Sequence, residues 1–297
     1  MVRPLCYAAA MARAGANQLS VSIVGPGRLG TALALNLRQA GWKVECLVVR
    51  PGARVRQAAT QLARVLNAKV MRLGDGILPS GLVWIAVPDD AIAAVASRLA
   101  QAQSWKNATV FHSSGALTSD VLSPLRDRGA HVASVHPGMT FVHKVTPSFT
   151  GVPFGVEGDA AALRLARKIV ADLGGTAYTI RKENKVLYHA FDTFASPLLI
   201  GLMATLEQVG KVAGIPKSQV RKMAGPLLRQ TINNYLEHGA AAAFSGALIR
   251  GDVATVRRHL DALKKIPKAG DAYRAVARVA IEQLPVKNRV ALRKALL

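Results

Sequence analysis

Residues 20–30 constrain this chain more than any other stretch. The β-branched run Ser20-Val21-Ser22-Ile23-Val24 leads into Gly25-Pro26-Gly27-Arg28-Leu29-Gly30, and an Ala/Leu-rich segment at helical spacing follows. A strand, a G-x-G-x-x-G turn and a helix in that order open a dinucleotide-binding βαβ unit. The first glycine permits the tight turn. The second lets the backbone approach a pyrophosphate, and the third lets helix and strand pack closely. The helix start then offers unpaired N–H groups and a favourable dipole to the anion. Gly25, Pro26, Gly27, Arg28, Leu29 and Gly30 are therefore expected to contact the cofactor, with Val87 at the end of a later strand over residues 82–87.

The choice between cofactors is legible further on. A site for NAD places Asp or Glu about 20 residues past the last glycine, where it meets the ribose hydroxyls. Here that position is Arg50, followed by Arg54 and Arg56, and no acid lies between Leu47 and Gly74. Guanidinium groups suit a 2′-phosphate and offer nothing special to a bare ribose. The expected cofactor is NADP(H), with Arg50 and Arg54 on the 2′-phosphate.

The rest of the first half keeps the same grammar. Strand-like runs at Lys43–Val49, 82–87, Thr109–His112 and 131–135 alternate with Ala-rich helical segments at 31–40, 54–66, 90–101 and 119–128. Short apolar strands alternating with helices of 10–15 residues argue a parallel sheet covered on both faces. One further α/β unit follows, with strands at 154–157 and 176–180 around a helix at 160–173. From residue 182 the segments 183–214, 217–238, 252–263 and 271–283 all read as helices, broken near Pro216 and Pro267. The expected architecture is α/β: a Rossmann-type parallel sheet domain over 19–181, then an all-helical domain over 182–297.

Two strand ends carry chemistry-bearing residues. His112-Ser113-Ser114-Gly115 and His136-Pro137-Gly138 sit where open parallel sheets bind their ligands, beyond the carboxyl ends of the strands. His112, Ser113, Ser114 and His136 are the expected substrate side. On the helix from Glu183, Lys185, Tyr188, His189, Asp192 and Ser196 share one face. A polar stripe on a mostly apolar helix needs partners. Lys185, Tyr188 and His189 are the proton-transfer candidates, unranked, with Asp192 beside them on the substrate. No cluster of His, Cys, Asp and Glu with metal-ligand spacing is visible, so no metal is expected.

Charge and cysteines narrow the partners. The 39 Lys and Arg against 17 Asp and Glu give a net charge of +22. The excess is spread evenly, with 16 bases and 6 acids in 1–150 and 23 and 11 in 151–297. A nucleic-acid surface concentrates its charge in a stripe or tail, so nucleic acid is not the expected partner. Cys6 and Cys46 make no disulfide framework, which fits a reduced, cytoplasmic setting. The uncharged stretch at 193–206 is shorter than a membrane span, so no membrane is expected. Residues 1–18 lack an apolar signal core and read as a disordered or spurious extension, since Met11 is a second possible start.

Taken together, Gly25 to Gly30, His112-Ser113-Ser114-Gly115, His136-Pro137, Tyr188-His189 and Arg250-Gly251-Asp252 with His259-Leu260 resemble a Rossmann-like family of unassigned function. Its N-terminal domain is similar to deazaflavin-dependent NADP reductases. More distantly it resembles pyrroline-5-carboxylate reductase and the 6-phosphogluconate dehydrogenase superfamily. The resemblance implies that the helical domain mediates homodimerisation, that Lys185 occupies the place of a proton-transfer lysine, and that Arg250 and His259 lie near the substrate, with Asp252 capping a helix. The chain departs from the pattern at Ser196-Pro197, where Ser-Asn is expected, and at Ala247, where a proline is expected. Pro197 removes a hydrogen-bonding amide and should kink the helix. Three readings stand: an NADP(H)-dependent oxidoreductase acting on a small carbonyl, imine or alcohol; a non-catalytic NADP(H)-binding sensor or regulatory module; and, carried by charge alone, a nucleic-acid-binding protein.

Overall fold

A computed structural model describes residues 19–50, 52–142 and 146–297, without the side chains of residues 53–55. Residues 1–18, with Cys6, lie outside the described residues. The chain divides into two compact units, the first ending at Thr193 and the second running Phe194–Leu297. The change of pattern at Arg181 therefore precedes the division between units. The helix that follows Arg181 packs its polar face on the sheet and belongs to the first unit.

The first unit is built on β1 (Ser20–Val24), α1 (Arg28–Gln39), β2 (Lys43–Val49), α2 (Ala53–Leu66), β3 (Lys69–Arg72), β4 (Leu82–Ile85), α3 (Asp89–Ala102), β5 (Thr109–His112), α4 (Ser123–Arg126), β6 (His131–Pro137), β7 (Pro153–Gly158), α5 (Ala160–Asp172) and β8 (Thr176–Thr179). They form one eight-stranded sheet in the order β3-β2-β1-β4-β5-β6-β7-β8. The first six positions follow the doubly wound dinucleotide-binding order, with its switch point between β1 and β4. Alternate strand residues feed two cores. Val21, Ile23, Leu47 and Val135 pack under α1 and α5 with Leu33, Leu37, Ala166 and Ile169. Val48, Val83, Ile85 and Val110 face α3 and α4 with Ile92, Leu99 and Leu125 on the opposite side. The parallel strands are accordingly apolar on both faces, as covered sheets require.

In the first unit the structure departs from the sequence expectation in three places. Strand β7 runs antiparallel to β6. No helix lies between Pro137 and Pro153 among the described residues, and a parallel return needs a crossover. Strand β3 is an edge strand with no fully buried residue, so it carries no apolar run to find. The segment 119–128 forms a 3-10 turn at Ser119–Leu122 and then only the short α4. The chain continues from β8 into α6 (Lys185–Thr193), the last element of the unit.

The second unit opens with a π-helical turn at Phe194–Leu198 that contains Pro197. Proline has no N–H for the α-helical ladder, and the kink expected at Ser196-Pro197 takes this form. The unit continues with α7 (Leu199–Val212), α8 (Lys217–Ala243), α9 (Ala247–Arg250), α10 (Val253–Leu263), α11 (Pro267–Gln283) and α12 (Arg289–Ala295). Helix α8 is interrupted at Gly239, whose φ of 78° is non-helical. Asp252 caps α10 as expected, accepting from Thr255 N–H at 3.0 Å. Lys182–Val212 form one helical run of 31 residues, with mean hydropathy 1.3 over its most apolar 18-residue window. By length and composition the joined run is long enough to cross a membrane, which the shorter uncharged stretch alone is not. Its first turns are otherwise engaged, because Lys185 is fully buried and Tyr188 is bonded to the sheet.

Candidate active site

The glycine turn does what its spacing implies. Gly25 has φ 87°, and a Cβ there would meet Val87 Cγ1 at 2.6 Å and the Ala86 carbonyl at 2.9 Å. A Cβ on Gly30 would collide with the Gly25 carbonyl, so the third glycine brings α1 against the turn. A Cβ on Gly27 would meet nothing within 4 Å, which leaves its backbone open to a ligand. Helix α1 has no side-chain cap and no acid in its first turn, so its first N–H groups remain available to an anion. The Arg28 guanidinium donates to the Phe141 carbonyl at 3.0 Å and ties down the loop after β6.

Arg50 stands just beyond β2 on an open groove of about 680 Å³. Arg56, Arg64 and Arg72 line the same groove, and among the described residues no acid does. Arg72 ends β3, directly beside Val49 in the β2–β3 register. The Arg54 side chain lies outside the described residues. Sequence reading missed Arg72 because it missed the strand that carries it.

A second set of residues gathers at the ends of β5 and β6. Lys185 and His112 are fully buried, and His136 Nδ1 is hydrogen-bonded to the Tyr188 hydroxyl at 3.1 Å. His136 Nδ1 also lies 3.5 Å from Asp192 Oδ2, and the His136 and His189 rings meet edge to face at 5.8 Å. The Lys185 ammonium sits 5.3 Å from the centre of the Tyr188 ring. Lys185 Nζ, His189 Nδ1 and Asp192 Oδ2 are buried without a hydrogen-bond partner among the described residues. The sequence shows no metal-ligand spacing, yet one possible ligand atom from each of His136, His189 and Asp192 falls within 4.8 Å of the others.

Burial sets the protonation states. It lowers the Lys185 pKa to about 8, against the pull of Glu157, Asp192 and Asp89. Desolvation, with Lys185 and His189 nearby, takes His136 down to about 4. Burial and the Asp192 charge raise Tyr188, so its phenol keeps its proton, and burial raises Asp192 as well. Of Lys185, His136 and His112, the lysine has the pKa closest to neutrality.

The residues after β5 shape the site from beneath. His112 accepts from Ser114 N–H at 3.1 Å, and its Nε2 lies 3.2 Å from the Thr118 carbonyl. Burial lowers its pKa to about 3, so it is neutral. Ser113 Oγ accepts from Trp84 Nε1, and Ser114 Oγ donates to Asp89 at 2.6 Å while accepting from Leu117 N–H. All three are engaged inside the protein. Buried Glu157 on β7 accepts from the Ser119 backbone and hydroxyl. Its signal was an acid closing an otherwise apolar strand. Arg250 and His259 belong to the second unit, where His259 Nδ1 pairs with Tyr273 Oη at 3.2 Å.

Residues 8–137 match a family described as a Rossmann-like domain, and residues 152–280 match one described as a domain of unknown function, DUF2520. The two matches bear out the Rossmann-like family of unassigned function read from the sequence. No curated protein matches the chain. Among solved structures, a protein of Bacteroides fragilis described as a candidate NADP oxidoreductase is similar with TM-score 0.72 and 21% identity, over 90% of this chain and 99% of its own. An imine reductase from Myxococcus stipitatus in complex with NADP+ gives 0.62 and 17%, over 89% and 94%. A pyrroline-5-carboxylate reductase from Coxiella burnetii gives 0.58 and 15%, over 88% and 98%. These likenesses establish the fold: a Rossmann-like sheet followed by helices.

Proposed function

We propose that the protein is an NADP(H)-dependent oxidoreductase that moves hydride to or from a small carbonyl, imine or alcohol. One observation carries the reading. The phosphate-binding turn after β1, the arginine groove beyond β2 and β3, and the buried Lys185–Tyr188–His136 cluster beyond β5 and β6 share the carboxyl edge of one sheet. The oxidoreductase, NADP+-complexed imine reductase and pyrroline-5-carboxylate reductase of the same fold support it by analogy.

The residues fit the cofactor. Open Gly27 and the uncapped start of α1 suit the pyrophosphate. Arg50 and Arg72 suit the 2′-phosphate through charge-assisted bonds. Bound nicotinamide supplies or accepts the hydride. In the reductive direction the substrate heteroatom needs a proton, and Lys185 supplies it. Its ammonium is buried, unpartnered and of lowered pKa, which matches a general acid working near neutrality. Tyr188 spans Lys185 and His136 and holds the cluster together. In the oxidative direction neutral Lys185 takes the proton back.

The protein acts as a homodimer through its helical unit. Leu198, Ile200, Met223, Leu227 and Leu236 are each at least half exposed there, an apolar surface that a second copy would cover. The cytoplasmic setting goes with free, buried Cys46. The test is calorimetric titration with NADPH and NADH, followed by a hydride-transfer assay over carbonyls and cyclic imines. Selective NADPH binding with turnover of at least one class supports the proposal. Binding without any turnover assigns the protein to the sensor reading, and absence of binding ends both.

A further inference from the structure

The orphaned atoms of the cluster bear on a second ligand. Buried polar groups are almost always partnered, yet His189 Nδ1 and Asp192 Oδ2 have no hydrogen-bond partner among the described residues. They are not scattered. With one nitrogen of His136 they form a set whose possible ligand atoms all lie within 4.8 Å of one another. The separation of 3.5 Å between His136 Nδ1 and Asp192 Oδ2 is long for a hydrogen bond. It is close to the roughly 3.3–3.4 Å between adjacent ligands of a tetrahedral ion bonded at about 2.0–2.1 Å.

The donor set decides what kind of partner is missing. A carboxylate oxygen and imidazole nitrogens offer lone pairs, which a cation accepts and an anion does not. Two imidazoles and one carboxylate favour zinc-class ions over magnesium or calcium, which prefer all-oxygen shells. At Gly115 a Cβ would run into His189 Nδ1 and lie 3.0 Å from Cε1 and Nε2 of His136, so only glycine lets the two rings come together here.

We propose that His136, His189 and Asp192 bind one divalent transition-metal ion of the zinc class, with the fourth position left to water or another ligand. Three protein ligands and an open position is the arrangement of a reactive zinc site rather than a structural one. The ion gives His189 Nδ1 and Asp192 Oδ2 the partner they lack among the described residues. The inference does not rest on the oxidoreductase reading, because its test reads binding and not turnover.

Full-length protein stripped with chelator is titrated with Zn2+ by calorimetry and with Co2+ by visible absorption. The expected result is one equivalent per chain and an intense Co2+ band of low-symmetry, four-coordinate character. Asp192→Asn and His189→Ala each weaken Zn2+ binding at least tenfold, while His238→Ala, on the exposed His238–Glu237 pair, leaves it unchanged. Asp192→Asn is nearly isosteric, and an unchanged circular dichroism melt shows that it folds. No saturable binding overturns the proposal. So does binding that survives Asp192→Asn and His189→Ala, or that falls equally with His238→Ala.

Discussion

Gly155 stands opposite His136 in the β6–β7 ladder, and a Cβ built on it would lie 2.5 Å from Cζ of Tyr188. The phenol ring therefore rests on the bare backbone of a strand. That seat fixes where the hydroxyl meets His136 and how the ring spans to Lys185.

Replacing Gly155 with Ala tests this seat. The methyl group displaces the Tyr188 ring, and overpacking of this kind costs about 1–3 kcal/mol. Turnover should fall at least tenfold while NADPH affinity stays within about twofold, because the glycine turn and the arginine groove are untouched. Calorimetry with steady-state kinetics separates the two effects. Equal losses in affinity and turnover would show a general unfolding instead.

The arginine groove makes a sharper claim than the sequence does. Arg50 was legible by its distance from the glycine turn, whereas Arg72 reaches the groove only through the β2–β3 register. Arg72→Ala should weaken NADPH about tenfold, a loss of about 1.4 kcal/mol, and leave NADH within about twofold. A mutant that loses both nucleotides equally would place Arg72 outside 2′-phosphate recognition.

What could be read in advance follows from how far each signal reaches along the chain. The β1 turn, the alternation of strands and helices, the kink at Pro197 and the Asp252 cap are encoded within a few residues, and each is found. The shared face of Lys185, Tyr188, His189 and Asp192 was legible for the same reason, since helical spacing is local. The antiparallel return of β7 depends on what the 138–152 connection lacks, and strand β3 has no apolar run to announce it.

At the site the same limit applies. His112, Ser113 and Ser114 were legible as polar residues at a strand end, but not as groups bonded within the protein. Their partners Thr118, Trp84 and Asp89 come from other segments. The convergence of His136 with His189 and Asp192 joins β6 to α6 across more than fifty residues. No spacing rule for metal ligands reaches that far.

Neutral His112 makes the first unit sensitive to acid. Its folded pKa of about 3 lies below the ordinary value of 6.5, so the unfolded chain binds a proton that the folded protein refuses. Its contribution to stability is complete above pH 6.5 and is lost as pH falls towards 3. Between pH 6.5 and 5 the loss is about 2 kcal/mol. Urea unfolding at the two pH values should show it. In His112→Asn the protein is less stable at neutral pH, but this share of the slope disappears. A mutant with the wild-type slope would move the acid sensitivity elsewhere.

Lys185 sets stability against function. Its ammonium is buried with no hydrogen-bond partner among the described residues, and the cost of burying it outweighs the pull of Glu157, Asp192 and Asp89. Lys185→Met keeps the length of the side chain and removes the charge, so the protein should gain about 1–3 kcal/mol. The same change removes the proton donor, and the rate of carbonyl or imine reduction should fall at least a hundredfold with NADPH affinity preserved, since general acid catalysis is worth about 10²–10⁴. Thermal melts and single-turnover reduction on the same preparation read both effects. A stabilised mutant that still turns over would leave Lys185 as a structural residue and pass the proton to another group. A mutant that is both slower and less stable would mean that the ammonium has a partner in the folded protein, with the Tyr188 ring the first to examine.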